Sequence, residues 1–150
     1  MKINKTLEDK DVIVLYKYLC EYESCLKNEY GQFNIYDEKI KKFKNDNELY
    51  LGSINRKDDK KRAVKSNNYL LWKEGSLKSK KSSVDRAHAL LRRIRNAFAH
   101  GNLIDNQNGK FHLKDVDDNG PTLDGILSYS LLYQLIEELK KTNNKYLYYE

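Results

Sequence analysis

Apolar residues recur at helical spacing over most of this chain. From about Thr6 to Tyr30 they fall at Val12, Leu15 with Tyr16, Leu19, then Tyr22 and Leu26. That spacing predicts a long first helix ending at Gly31, a residue suited to a left-handed cap. Tyr36, Ile40 and Phe43 predict a second, shorter helix, which Asn45-Asp46-Asn47 breaks. Within the basic segment 52–82, a helical piece around Ala63–Trp72 gives Val64, Leu71 and Trp72 somewhere to pack, with loop on both sides. Ser82-Ser83-Val84-Asp85 reads as a helix start, with a serine cap and an acid in the first turn. This fourth helix runs to His100, and Gly101-Asn102 ends it. Val84, Ala87, Leu91, Ile94 and Phe98 mark its core stripe.

Beyond it the pattern changes. Leu103-Ile104-Asp105 and Lys110-Phe111-His112-Leu113 flank a turn containing Asn108-Gly109, which supplies the positive φ angles of a β-hairpin. Pro121-Thr122 then opens a last helix, with Ile126, Tyr129, Leu132, Tyr133, Ile136 and Leu139 on its buried face. The tail, Tyr146-Leu147-Tyr148-Tyr149, is aromatic and suited to docking on the body or on a partner. No internal repeat or boundary divides the chain. The expectation is one mainly α domain over 1–150: a bundle of four to five helices with a short β-hairpin before the last helix.

Composition narrows this picture. At 150 residues the chain suits a single modest core, and one proline with seven glycines favours helices over a turn-rich β architecture. With 39% hydrophobic and 33% charged residues it is polar but not of disordered type. No apolar run is long enough for a signal peptide or a membrane span, so a soluble cytoplasmic protein is expected. Cys20 and Cys25 lie five apart on the first predicted helix and point in different directions, which favours two reduced thiols over a disulfide or zinc site. The net charge of +6 is concentrated: residues 56–81 hold ten Lys/Arg against three acids, leaving the rest of the chain near −1. Such a segment is either a solvated surface or a phosphate-attracting patch.

The chemistry gathers on the fourth helix. At about 100° per residue, Arg92, Asn96 and His100 share one polar stripe, and Arg95 lies between that stripe and the core. Two arginines, an amide and an imidazole are the groups that RNA cleavage without a metal requires. An imidazole moves protons near neutral pH. A guanidinium holds a phosphate and steadies the charge of a pentacoordinate phosphorane. An amide can orient either partner. His88, His100 and His112 have no metal-ligand spacing and no carboxylate cluster suits two metals, so neither a metal nor another cofactor is expected.

The run Arg95-Asn96-Ala97-Phe98-Ala99-His100-Gly101 resembles the Arg-x4–6-His signature of HEPN-domain ribonucleases, including the polar residue after the arginine. The close match covers about twelve residues, Leu91 to Asn102, and the order of helices around it is compatible. The resemblance implies a HEPN-like helical bundle and a homodimer in which both motifs line one composite cleft. It also implies metal-independent cleavage of single-stranded or loop RNA to a 2′,3′-cyclic phosphate and a 5′-hydroxyl. By position, Arg95 would bind and polarise the phosphate, Asn96 would orient it, and His100 would be the general acid or base. Many such proteins are toxins or abortive-infection effectors against phage, which implies an antitoxin or defence-system partner. The sequence departs from the pattern at Asn102, where toxins silenced by nucleotidyltransferase antitoxins commonly carry a tyrosine. That argues against control by adenylylation there.

Arg92 joins the stripe as a second phosphate contact, and Lys60, Lys61 and Arg62 are candidate RNA-binding residues of the basic segment. Arg95 and His100 diverge by about 140° on an ideal helix, which itself argues for a contribution from a second chain. Two function classes fit these residues: a catalytic endoribonuclease, and a non-catalytic HEPN-like module that binds RNA or a protein partner.

Overall fold

In chain order the elements are α1 (Asp9–Glu21), α2 (Glu38–Asp46), β1 (Leu49–Ser53), α3 (Lys57–Val64), β2 (Asn68–Trp72), α4 (Ser83–His100), β3 (Leu103–Asp105), β4 (Phe111–Asp117), β5 (Gly120–Leu127) and α5 (Tyr129–Lys140). The computed structural model describes residues 9–22, 24, 33–73 and 83–142. The predicted helix end at Gly31, the Ser82 cap, Cys25, Lys78, Lys80, Lys81 and the aromatic tail lie outside the described residues.

The expected helical bundle with a short hairpin is overturned by a five-stranded mixed sheet of order β1-β2-β5-β4-β3. Strands β1 and β2 run parallel and the other neighbours antiparallel. Parallel neighbours need a crossover, and α3 supplies it. The helical piece expected around Ala63–Trp72 is instead the end of α3, a break at Ser66-Asn67, and strand β2. Tyr69-Leu70-Leu71-Trp72 is a short apolar run, and such a run fits a buried strand as well as a helix until a partner strand decides. Pro121-Thr122 opens no helix. Both lie in β5, and Pro121 sits near the strand's start, beyond the stretch that β2 pairs with, where its missing N–H is tolerated. Helix α5 begins after Ser128, whose hydroxyl accepts from the Leu131 amide at 3.0 Å as an N-cap.

Elsewhere the hydrophobic pattern locates the elements well. Ala87, Leu91, Ile94 and Phe98 of α4 are buried, and so are Tyr129, Leu132, Ile136 and Leu139 of α5. Asn108 and Gly109 take positive φ in the β3–β4 turn. On α1, Leu15 and Tyr18 are buried, whereas Tyr16, expected on that face, is exposed.

The sheet separates two unequal cores. On one face α1, α2, α4 and α5 pack with Leu49, Leu70, Trp72, Leu103, Phe111, Leu113, Leu123 and Leu127 into the main cluster. Leu70 fits there because its cross-strand neighbour is Gly125, where a Cβ would lie 2.5 Å from a Leu70 methyl. On the other face, among the described residues, α3 packs, placing Ala63 against Ile54 and Leu71 over β1 and β2. Helix α4 is held from several sides. The Tyr18 hydroxyl donates to the Leu91 carbonyl at 2.9 Å, its ring meets Phe98 edge-on, and the Trp72 indole donates to the Arg86 carbonyl at 3.1 Å. Glu21 ties α1 to α5 through the Tyr133 hydroxyl and the Lys140 ammonium. Among the described residues no helix is long and apolar enough to cross a membrane.

Candidate active site at the end of α4

Phe98-Ala99-His100-Gly101-Asn102 ends α4 through a left-handed glycine. Gly101 has φ +70°; its amide donates to the Phe98 carbonyl at 3.1 Å, and the Asn102 amide reaches the Ala97 carbonyl at 3.0 Å. This closure satisfies the last helical carbonyls, and it needs a residue without a Cβ penalty at its pivot. His100 and Asn102 stand on either side of that pivot. The Lys114 amide donates to the Asn102 carbonyl at 3.3 Å and fastens the turn to β4.

Both side chains converge on Asp115. Along β4, Phe111, Leu113 and Asp115 alternate inward, so a carboxylate takes the third core-facing position. The β4–β5 register shifts immediately after it: Asp115 faces Leu123 and Val116 faces Pro121, leaving Thr122 as the extra residue. Irregularities of this kind re-aim side chains at the rim of a sheet. His100 Nδ1 lies 3.1 and 3.2 Å from the two Asp115 oxygens, and Asn102 Nδ2 donates to Oδ1 at 2.9 Å. The Asp115 side chain is only 5% exposed, while the imidazole is 58% exposed. The ring is thus held by one nitrogen and offered to solvent.

The predicted stripe is a surface feature of α4: Arg92 is exposed, Asn96 half-buried and His100 exposed. Arg95 turns elsewhere. Its guanidinium lies over the Tyr22 ring, one residue past the end of α1, at 5.4 Å from the centroid. The two ends of the motif therefore take different partners, Tyr22 for Arg95 and Asp115 of β4 for His100. Arg93 flanks the carboxylate. Burial and the neighbouring Arg92 pull its guanidinium below its ordinary pKa, against the opposing pull of Asp117 and Asp115.

Lys60, Lys61 and Arg62 are exposed on α3. That helix and α4 cover opposite faces of the sheet, so the basic helix does not join the His100 stripe within one chain. His88 is exposed, and His112 bonds Asp124 at 2.6 Å on the α3 side of the sheet. Among the described residues no three His, Cys, Asp or Glu side chains gather to hold a metal ion.

Sequence reasoning missed Asp115 and the part Asn102 plays with it. The signal was present: in Phe111-His112-Leu113-Lys114-Asp115 the alternation puts an acid where an apolar residue belongs. Residues 11–147 match the protein family described as HEPN pEK499 p136. Neither a curated protein nor a solved structure matches the chain.

Proposed function

The chain belongs to the HEPN pEK499 p136 family, and from that premise we propose that it is an endoribonuclease that cuts single-stranded or loop RNA without a metal. One observation carries the reading. The His100 imidazole is anchored to a buried carboxylate at the end of a helix, yet open to solvent on a stripe shared with Arg92 and Asn96. An imidazole so held is suited to take the proton of a 2′-hydroxyl. The 2′-oxygen then attacks phosphorus, the bond to the 5′-oxygen breaks, and that oxygen leaves as a hydroxyl once protonated. The products are a 2′,3′-cyclic phosphate and a 5′-hydroxyl end. Arg92 and Arg95 supply the positive charge that the phosphorane demands, and Asn96 orients it.

The divergence of Arg95 and His100 supports a composite site in a homodimer. With Arg95 turned to Tyr22 and His100 to Asp115, a second copy brings its own motif to complete the cleft. One imidazole then acts as base and the other, protonated, as acid. Lys60, Lys61 and Arg62 add affinity for the RNA backbone. The biological role that follows is that of a toxin or phage-defence effector.

A second reading, a non-catalytic module holding RNA or a protein partner, draws on the position of α3 across the sheet from His100. Labelled RNA incubated with the protein in EDTA separates the two. Cleavage that survives chelation and is lost in His100→Ala and Arg95→Ala supports the enzyme. RNA that is bound but intact in every condition supports the module.

A further inference from the structure

We infer that Asp115, braced by Asn102, is the positioning residue of this site: it fixes the His100 imidazole with the proton on Nδ1, so that Nε2 is the nitrogen presented for proton transfer. The inference deepens the ribonuclease reading in what it says of rate, but its structural half stands without it.

The argument starts from donor and acceptor counts. An ionised carboxylate has no hydrogen to give, so the nitrogen lying 3.1 and 3.2 Å from its two oxygens must be the N–H donor. A neutral imidazole carries one proton, and with Nδ1 holding it, Nε2 keeps the lone pair. Free histidine side chains favour the opposite tautomer, so the carboxylate is choosing the less common form. Asp115 cannot swing away. It is buried, it accepts from Asn102 Nδ2 at 2.9 Å, and the Asn102 backbone is tied to Lys114 across the Gly101 turn. The same carboxylate stabilises the imidazolium that forms once Nε2 takes a proton.

Among the described residues, Arg93 feels the Asp115 carboxylate. Arg93 on α4 and Asp117 further along β4 act on the same corner with opposite signs, and Arg92 flanks Arg93. Neither acid nor base among them contacts the ring. Asp115 is thus the negative group positioned to control its proton.

The test uses the full chain labelled with ¹⁵N-histidine and read by long-range ¹H–¹⁵N correlation. The wild type is expected to show His100 with a protonated Nδ1 and an unprotonated Nε2 at high pH. In Asp115→Ala that signature should relax to the common tautomer. Asp115→Asn keeps the shape and removes the charge, and its tautomer signature should also move toward the common form. Single-turnover cleavage at saturating RNA should drop about 10²-fold or more in Asp115→Asn, with little change in the RNA concentration needed for half-saturation. Asn102→Ala should give a smaller loss in the same direction. Should Asp115→Ala fail to fold, the isosteric Asn variant carries the test, with thermal unfolding to check its fold. An unchanged His100 tautomer in a folded Asp115 variant overturns the inference. A wild type that shows the Nδ1–H signature but cleaves no RNA sinks the ribonuclease reading and leaves the positioning role intact.

Discussion

Two imidazole–carboxylate pairs sit on opposite faces of β4, and they differ in which partner is hidden. In the first, His100 is 58% exposed and Asp115 5%. In the second, His112 and Asp124 are 23% and 30% exposed. Asp124 also accepts from the Tyr69 hydroxyl at 3.1 Å, so three side chains from β2, β5 and β4 are knotted together. There burial and Asp124 push the Tyr69 phenol far above its usual range. Burial also pushes the Asp124 carboxyl up, but hydrogen bonds from His112 and Tyr69, with the charges of His112 and Lys114, bring it below the ordinary value. The second pair is a cross-strand tie whose polar groups satisfy one another. The first offers a ring nitrogen to solvent. The same two residue types make a closed cross-strand tie or leave an imidazole open to solvent according to which member the fold buries.

The comparison can be broken most sharply by exchanging the histidines. His100→Ala is expected to lower the RNA cleavage rate by about 10³-fold, the scale of a lost general acid or base. His112→Ala should leave that rate nearly unchanged in the same gel assay. Equal losses in both would erase the distinction.

The converse effect belongs to stability. Asp124→Ala removes the acceptor that His112 and Tyr69 share. It should cost about 1–3 kcal/mol in urea unfolding, because two half-buried polar groups lose their partner. Cleavage measured below the unfolding midpoint should stay close to wild type.

Neutralising Lys60, Lys61 and Arg62 together tests whether α3 serves affinity alone, across the sheet from His100. The slope of log affinity against log salt should flatten by about 2, at roughly 0.7 per backbone phosphate contact with a single strand. The single-turnover rate at saturation should hold. A large fall in that rate would put α3 in the chemistry.

The smallest effect is the pH dependence of the tie. A carboxyl whose folded pKa lies below its unfolded value contributes stability at pH above the unfolded value. That contribution fades as pH falls through the folded value. Asp124 is such a group. Urea midpoints measured from pH 6 down to pH 3 should fall less steeply in Asp124→Asn than in wild type. An identical slope would remove Asp124 from the acid response.

Much of this was legible in the chain. The period of α4 separates Ala87, Leu91, Ile94 and Phe98 from Arg92, Asn96 and His100, and burial follows that division. Asn108-Gly109 announces its hairpin because few residues take positive φ cheaply. The sheet was not legible. Leu49–Ser53 and Asn68–Trp72 are too short to show a period, and their pairing depends on each other across α3. Ile126 falls at helical spacing from Tyr129 and Tyr133, so the local pattern alone runs β5 into the helix that follows it.

By itself, then, the sequence determined the helical stripes, the hairpin turn and the Arg95–His100 motif, since each is written in the covalent period of a local backbone. The tertiary structure decided which side of the sheet each stripe meets, that Arg95 turns to Tyr22, and that His100 turns to Asp115. Those choices come from strand pairings and burial between residues distant in the chain, where no local period reaches.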